Sequence, residues 1–294
     1  VWFPAAPRPP PQHPEVFVSE SSQSFLARHQ FLIYRLFSLS GLVPVGAFLV
    51  VHLLTNASVL AGPGVFQSRV DLIHSIGEAA LPIVEWAFIF LPILFHATVG
   101  FVIIANGLPN VGSYPYVGNV RYTLQRASGM IAFVFIIAHV AHMHKLGAWL
   151  DPSHQWLGRF EPDAASSSAA VAMQSTAITI LYVIGLLSAV FHFANGLWTL
   201  GITWGLWTSP AAMRRANAVS VVVGLALAAA GLGSVAGLRQ IGGSETKLEQ
   251  ARSTERAMHE ERERRERLMR GEADVPVDPQ GRSRAAAAGT RTGG

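Results

Sequence analysis

Long apolar stretches alternate with short polar ones along most of the chain. Residues 36–56, 82–106, 122–143, 173–200 and 216–238 hold almost no charge. Each is about as long as the roughly 20 residues a helix needs to cross a hydrocarbon core. In lipid the backbone must satisfy its own hydrogen bonds, so five such runs predict an all-α membrane protein with five transmembrane helices. Pro44 falls inside the first run, where a kink is expected. The stretch "SFLARHQFLIYRLFSLSGLV", with Arg28 and Arg35 spaced along it, reads as an interfacial lead-in to that run. The fifth run, "VVVGLALAAAGLGSVAG", is rich in small residues that let another helix approach closely.

The segments between the runs complete the plan. Residues 57–80 form a first loop with a short helix near Val70, and "GLPNVGSYPYVGN" is a turn-rich second loop. "DPSHQWLGRFEPDAASSS" reads as a third loop. Three parts are expected: a Pro-rich arm over residues 1–30, a transmembrane unit over 31–240, and a charged tail over 241–294. The tail alternates Glu and Arg, which predicts a solvated helix laced with i,i+4 pairs and then disorder. No cleavable signal peptide is expected in the Pro-rich start. Arg28, Arg35, Arg121, Arg126, Arg214 and Arg215 gather at one side of the predicted bundle, against Arg69, Lys145, Arg159 and Arg239 at the other. Short loops rich in Lys and Arg stay inside, so the N-terminus is expected in the cytoplasm and the C-terminus outside, in a bacterial-type inner membrane.

Composition sharpens this picture. Of 294 residues, 50% are hydrophobic and 14% charged, well below a soluble protein's usual share of about 25% charged. The net charge of +4 is scattered over loops rather than gathered into a patch, which argues against nucleic acid as a partner. There are no cysteines, which excludes disulfides, thiolate-held iron–sulfur clusters and covalent heme attachment in this chain.

The chemistry lies in the histidines, of which there are 11. His52, His96, His139 and His192 each fall late in one of the first four runs. Consecutive spans run in opposite directions, so His52 and His139 share an outer depth, and His96 and His192 an inner one. Two neutral imidazoles from opposite helices fill both axial positions of a b-type heme, which leaves no open site and favours electron transfer. A four-helix core can hold two such groups, stacked along the membrane normal. Gly100 and Gly196, one turn after a histidine, and Gly185, two turns before His192, would leave room for them. A single metal ion is disfavoured, because the pairs lie too far apart to share it and no carboxylate or cysteine adjoins them. A histidine relay in a transporter, or plain packing between helices, is the competing reading. His142 and His144 lie nearer the interface and read as surface or propionate contacts. His74, in the first loop, is placed to face a quinone or a propionate.

The segments "SLSGLVPVGAFLVVHLLTN", "EWAFIFLPILFHATVG", "YTLQRASGMIAFVFIIAHV" and "LLSAVFHFANGLWTLGITWG" together resemble the cytochrome b subunit of succinate dehydrogenase or fumarate reductase, in its single-chain, five-helix, two-heme form. The resemblance spans roughly residues 30–240. It implies a membrane anchor for a flavoprotein subunit and an iron–sulfur subunit on the cytoplasmic side, with FAD and the clusters in those partners only. It implies two heme b groups, the inner held by His96 and His192 and the outer by His52 and His139, passing electrons to a quinone, usually menaquinone. Glu85 stands where the family can carry a quinone-site carboxylate. Arg35, Arg126 and Arg121 are candidates to neutralise heme propionates or to meet the iron–sulfur subunit, and Ser38 to bond a propionate. Asn195 and Trp198 would pack on a heme edge. Another two-heme transmembrane electron carrier is the runner-up, and a dimer or higher oligomer of the complex is left open.

Overall fold

The computed structural model describes residues 25–77, 79–105, 107 and 111–272. Most of the Pro-rich arm and the end of the tail lie outside the described residues. Among the described residues, five stretches are long and apolar enough to cross a membrane: Arg28–Ala61, Ala80–Ala105, Val117–Met143, Thr176–Thr203 and Pro210–Gly242.

The first span is broken. Helix α1 (Phe25–Leu42) ends one residue before α2 (Pro44–Ala57) begins. Pro44 has no N–H to donate, and its ring excludes a continuous ladder, so it opens a new helix instead. The expected interfacial lead-in is not a separate segment: it is α1 itself, which runs on to the break. Helix α3 (Pro63–His74) occupies the first loop, where a short helix was expected. The second span is α4 (Ala80–Glu85), one turn of π-helix over Trp86–Phe90, and α5 (Leu91–Ala105).

The third span is α6 (Val117–Met143), followed by a single turn, α7 (Lys145–Ala148). The third loop is not irregular throughout. It contains α8 (Ala165–Ala172), of whose side chains Ala165, Ser166, Ala170 and Ala172 are wholly buried. Its Ala and Ser residues carry no amphipathic pattern, which hides the helix in the sequence, but they let three helices approach it. The fourth span is α9 (Thr176–Thr203), capped by the Ser175 hydroxyl accepting from the Ile178 N–H. The fifth is α10 (Pro210–Gly242), and α11 (Glu245–Met269) turns back from its end.

Helix α9 is the axis of the bundle and packs along α6, α10 and α1. Leu53, Leu186, Val190 and Leu227 form the core where α2, α9 and α10 meet. The outward faces are apolar and exposed, as in Phe88, Leu94, Val134, Leu181 and Leu225. In water such a surface would be costly, whereas lipid solvates it.

The two ends of the bundle differ. At the N-terminal end, where α1, α6 and α10 begin, arginines and tryptophans meet. At the other end α3, α8 and α11 build a cap with its own core of Val59, Phe66, Met173, Ile241, Leu248 and Ala251. Its polar centre is complete. Buried Glu255 accepts from the N–H groups of Ser166 and Ser167, at 2.6 and 3.0 Å, and from the Ser167 hydroxyl. The carboxylate therefore sits at the positive end of α8, where unpaired N–H groups need an acceptor. Buried Gln67 accepts from the Ala165 N–H at 3.0 Å and donates to Pro162 O and Asp71. Arg262 ties Asp71 to Asp163. The tail helix carries the expected Glu–Arg pairs, such as Arg265 with Glu261. It is nonetheless not fully solvated, because Leu248, Ala251 and Glu255 are buried against the cap.

Candidate functional site

Four spans bring four histidines together as two pairs. Near the N-terminal end, His96 of α5 faces His192 of α9, with ring centres 6.1 Å apart and planes at 88°. Toward the cap, His52 of α2 faces His139 of α6, with centres 5.7 Å apart and planes at 76°. Two imidazoles bound to one metal by bonds of about 2 Å would have ring centres about 6 Å apart. Both pairs match that separation.

The N-terminal-end pair is held by backbone. His96 Nδ1 lies 3.0 Å from Phe37 O, and His192 Nδ1 lies 3.0 Å from Gln125 O. Each Nδ1–H thus has a carbonyl to donate to, which leaves Nε2 free for a metal. Glycines seat both rings. A methyl group at Gly41 would lie 2.5 Å from His96 Cε1, and one at Gly129 would lie 2.8 Å from His192 Cε1. Phe37 stacks on His96 with centres 4.3 Å apart. Gln125 also donates to His192 O and accepts from Asn195, which Arg121 reaches in turn.

The cap-end pair is held by side chains. His139 Nδ1 lies 3.2 Å from the Tyr182 hydroxyl, and His142 Nδ1 lies 2.7 Å from it. Phe135 stacks beside His139, and Phe48 packs at a tilt beside His52. Farther toward the cap, Glu85 Oε1 lies 3.4 Å from His144 Nε2, both largely shielded. The π-helical turn begins at the residue after Glu85, and π-turns often mark functional sites.

No family model matches the chain. The succinate dehydrogenase cytochrome b558 subunit of Bacillus subtilis (strain 168) is 33% identical to it over 207 residues, which is 70% of this chain and 96% of that protein. The chain belongs to the cytochrome b subunits of succinate dehydrogenase.

In this cytochrome b subunit, a multi-pass membrane protein, the remaining candidates have definite places. Arg35 lies over Phe31 and Trp204, 4.8 Å from each ring centre. Arg126 lies over Tyr122 and donates to Gly107 O and Ile103 O, which fastens α6 to the end of α5. Arg121 lies 4.0 Å from the Trp198 ring centre and donates to Asn195 and Asn217. All three arginines therefore gather at the N-terminal end with the His96–His192 pair. Ser38 is half-buried on α1, and the hydroxyl near His96 belongs to Ser40, 3.5 Å from Nδ1.

Other expectations are revised. His142 is not a surface residue: it is 9% exposed, and its Nε2 is buried with no hydrogen-bond partner among the described residues. Gly185 accommodates the ring of Phe135 rather than open space. A methyl group at Gly100 would lie 3.6 Å from the Phe37 ring and one at Gly196 3.9 Å from Gln125 Nε2, both ordinary contact distances. His74 closes α3, with a buried Nδ1 that has no hydrogen-bond partner among the described residues.

Sequence reasoning overlooked Gly41, Gly129 and Tyr182. A signal for the glycines exists. Gly41 lies three turns before His52, and Gly129 three turns before His139. The two spans carrying the cap-end histidines thus each present a glycine to one ring of the other pair. Tyr182 gives no comparable signal, because one tyrosine in an apolar helix looks ordinary.

Proposed function

We propose that this subunit carries two b-type hemes, one between His96 and His192 and one between His52 and His139, and reduces a quinone, menaquinone by family likeness. The observation that carries this is the double pairing, with ring centres about 6 Å apart at two depths. Heme held by these histidines would supply one-electron carriers, suited to passing electrons from an iron–sulfur partner toward the quinone. The chain's own task is to hold the four rings and leave room between them. Backbone acceptors at Phe37 and Gln125 orient the rings of one pair.

The flavoprotein and iron–sulfur subunits dock, in this reading, at the cytoplasmic N-terminal end, where Arg35, Arg121 and Arg126 gather. Arg35 and Arg126 serve heme propionates there. The cap then lies outside, and Glu85, beside His144, delivers protons to the quinone near the His52–His139 pair. Because Gly41 seats His96 three turns before His52, the pairs lie about 16 Å apart along the bundle. That is about half of a hydrocarbon core roughly 30 Å thick. An electron crossing it works with or against about 1.2 kcal/mol per 100 mV of membrane potential. Uncouplers should therefore change the rate of succinate-to-menaquinone electron flow; an unchanged rate would remove this part of the proposal.

The direct test is heme per polypeptide in the purified complex, with reduced-minus-oxidised spectra, for wild type, His96→Ala and His139→Ala. Two hemes in the wild type and one in each variant are expected. No heme in the wild type would overturn the proposal and move the histidines to a proton relay.

A further inference from the structure

The Tyr182 hydroxyl stands between two histidines, 3.2 Å from Nδ1 of His139 and 2.7 Å from Nδ1 of His142. The three rings meet edge-on, with centres 5.5 and 5.6 Å from that of Tyr182. Tyr182 also packs against the cap core, so the cap helps hold the phenol in place.

The reading above, in which His139 binds iron through Nε2, fixes the proton of that ring. Its one ring proton then sits on Nδ1 and is donated to the Tyr182 oxygen. A phenol has a single proton, and the remaining neighbour is Nδ1 of His142. In the arrangement we infer, that nitrogen accepts the phenol proton at 2.7 Å, and His142 is neutral with its proton on the buried Nε2. The result is a one-way chain, from His139 Nδ1–H to Tyr182 O–H to His142 Nδ1, in which each bond polarises the next.

We propose that Tyr182 is a positioning residue of the cap-end heme site, and that with His142 it sets the electron-donating strength of His139 and hence the reduction potential of that heme. A hydrogen bond accepted from the far nitrogen of a ligating histidine makes the ligand more basic. A more basic ligand favours the oxidised iron and lowers the potential. At the other pair the same bond goes to backbone carbonyls, which no side-chain substitution removes. The two hemes are therefore tuned by different means, one by the fold and one by two replaceable side chains.

The inference rests on the heme-ligand assignment and is tested separately from it. Redox titration of the intact complex, with EPR of each oxidised low-spin heme, is run on Tyr182→Phe, His142→Leu and His142→Asn. In Tyr182→Phe, two hemes stay bound, one potential moves upward with its EPR signal, and the other is unchanged. His142→Leu moves the same heme upward by less. His142→Asn, which keeps an acceptor oxygen, returns it toward the wild-type value. Unchanged potentials in Tyr182→Phe with both hemes bound would overturn the inference and leave the ligands standing. If Tyr182→Phe lost heme, His142→Leu would decide: an upward shift of one heme supports the chain, and no shift overturns it. Full heme retention in His139→Ala would instead overturn the ligand assignment itself.

Discussion

His96 and His192 hold their orientation through the carbonyls of Phe37 and Gln125 and sit against Gly41 and Gly129. His139, at the cap end, leans on Tyr182 and Phe135, and His52 on Phe48. The first pair thus takes its hydrogen-bond orientation from backbone carbonyls and its space from glycines, with Phe37 stacked on His96, whereas the second is oriented by side chains. Backbone acceptors in a transmembrane helix are fixed by the ladder, so the first pair is rigid by construction. The second pair borrows its order from neighbours that include the cap. The same side chain, placed in two settings, gives one pair that resists change and one open to adjustment.

Filling a glycine seat would break this comparison most sharply. Gly129→Leu drives a side chain into the ring of His192 and should remove the N-terminal-end heme while the other stays, halving the heme per polypeptide. Equal loss of both hemes would show that the pairs are not independently held. Glu85→Gln probes the other site. It should leave both hemes in place and reducible by succinate, yet slow quinone reduction by roughly 100-fold or more, the usual scale for losing a proton-transferring group. A normal steady-state rate with menaquinone would remove Glu85 from the proposed site.

The cap offers a milder perturbation. Glu255→Ala leaves the first N–H groups of α8 without an acceptor, and it should lower stability by about 2 kcal/mol. Thermal unfolding in detergent would measure this, and limited proteolysis should then release α11. The cap-end heme spectrum should broaden, because Tyr182 rests on the cap core, while the other heme keeps its spectrum. The smallest effect is expected in the connection after α7. There the Ser153 hydroxyl and the N–H groups of Trp156, Leu157 and Ser153 hold the Asp151 carboxyl down to about 2, from an ordinary 3.8. A depressed carboxylate contributes stability above its unfolded value and loses it as pH falls through the folded one. The fluorescence of exposed Trp156 should therefore change between about pH 4 and pH 2, and this step should vanish in Asp151→Asn.

The spans were readable because lipid demands long uncharged helices, and the histidine pairing because alternating helix direction sorts positions by depth. Neither depends on distant contacts. What escaped does depend on them. Helix α8 is a run of Ala and Ser with no apolar stripe, and it exists against α3 and α11, with Glu255 contributed from far along the chain. The burial of His142 follows from Tyr182 on a different span. Pro44 announced an interruption, but that α1 belongs to the first span was obscured by Arg28 and Arg35. The tail showed its charge pairs plainly, whereas the few residues that dock it, Leu248 and Ala251 among them, are too sparse to read as a buried face.

Glu255 also has a meaning in time. It lies beyond all five spans, so it is synthesised after both histidine pairs and after α8, whose exposed N–H groups it will satisfy. Until α11 emerges and folds back, the cap cannot close. During biogenesis the cap end is therefore the last part of the bundle to be sealed, and a ribosome that stops short of this one carboxylate leaves behind a bundle with every span and an open roof.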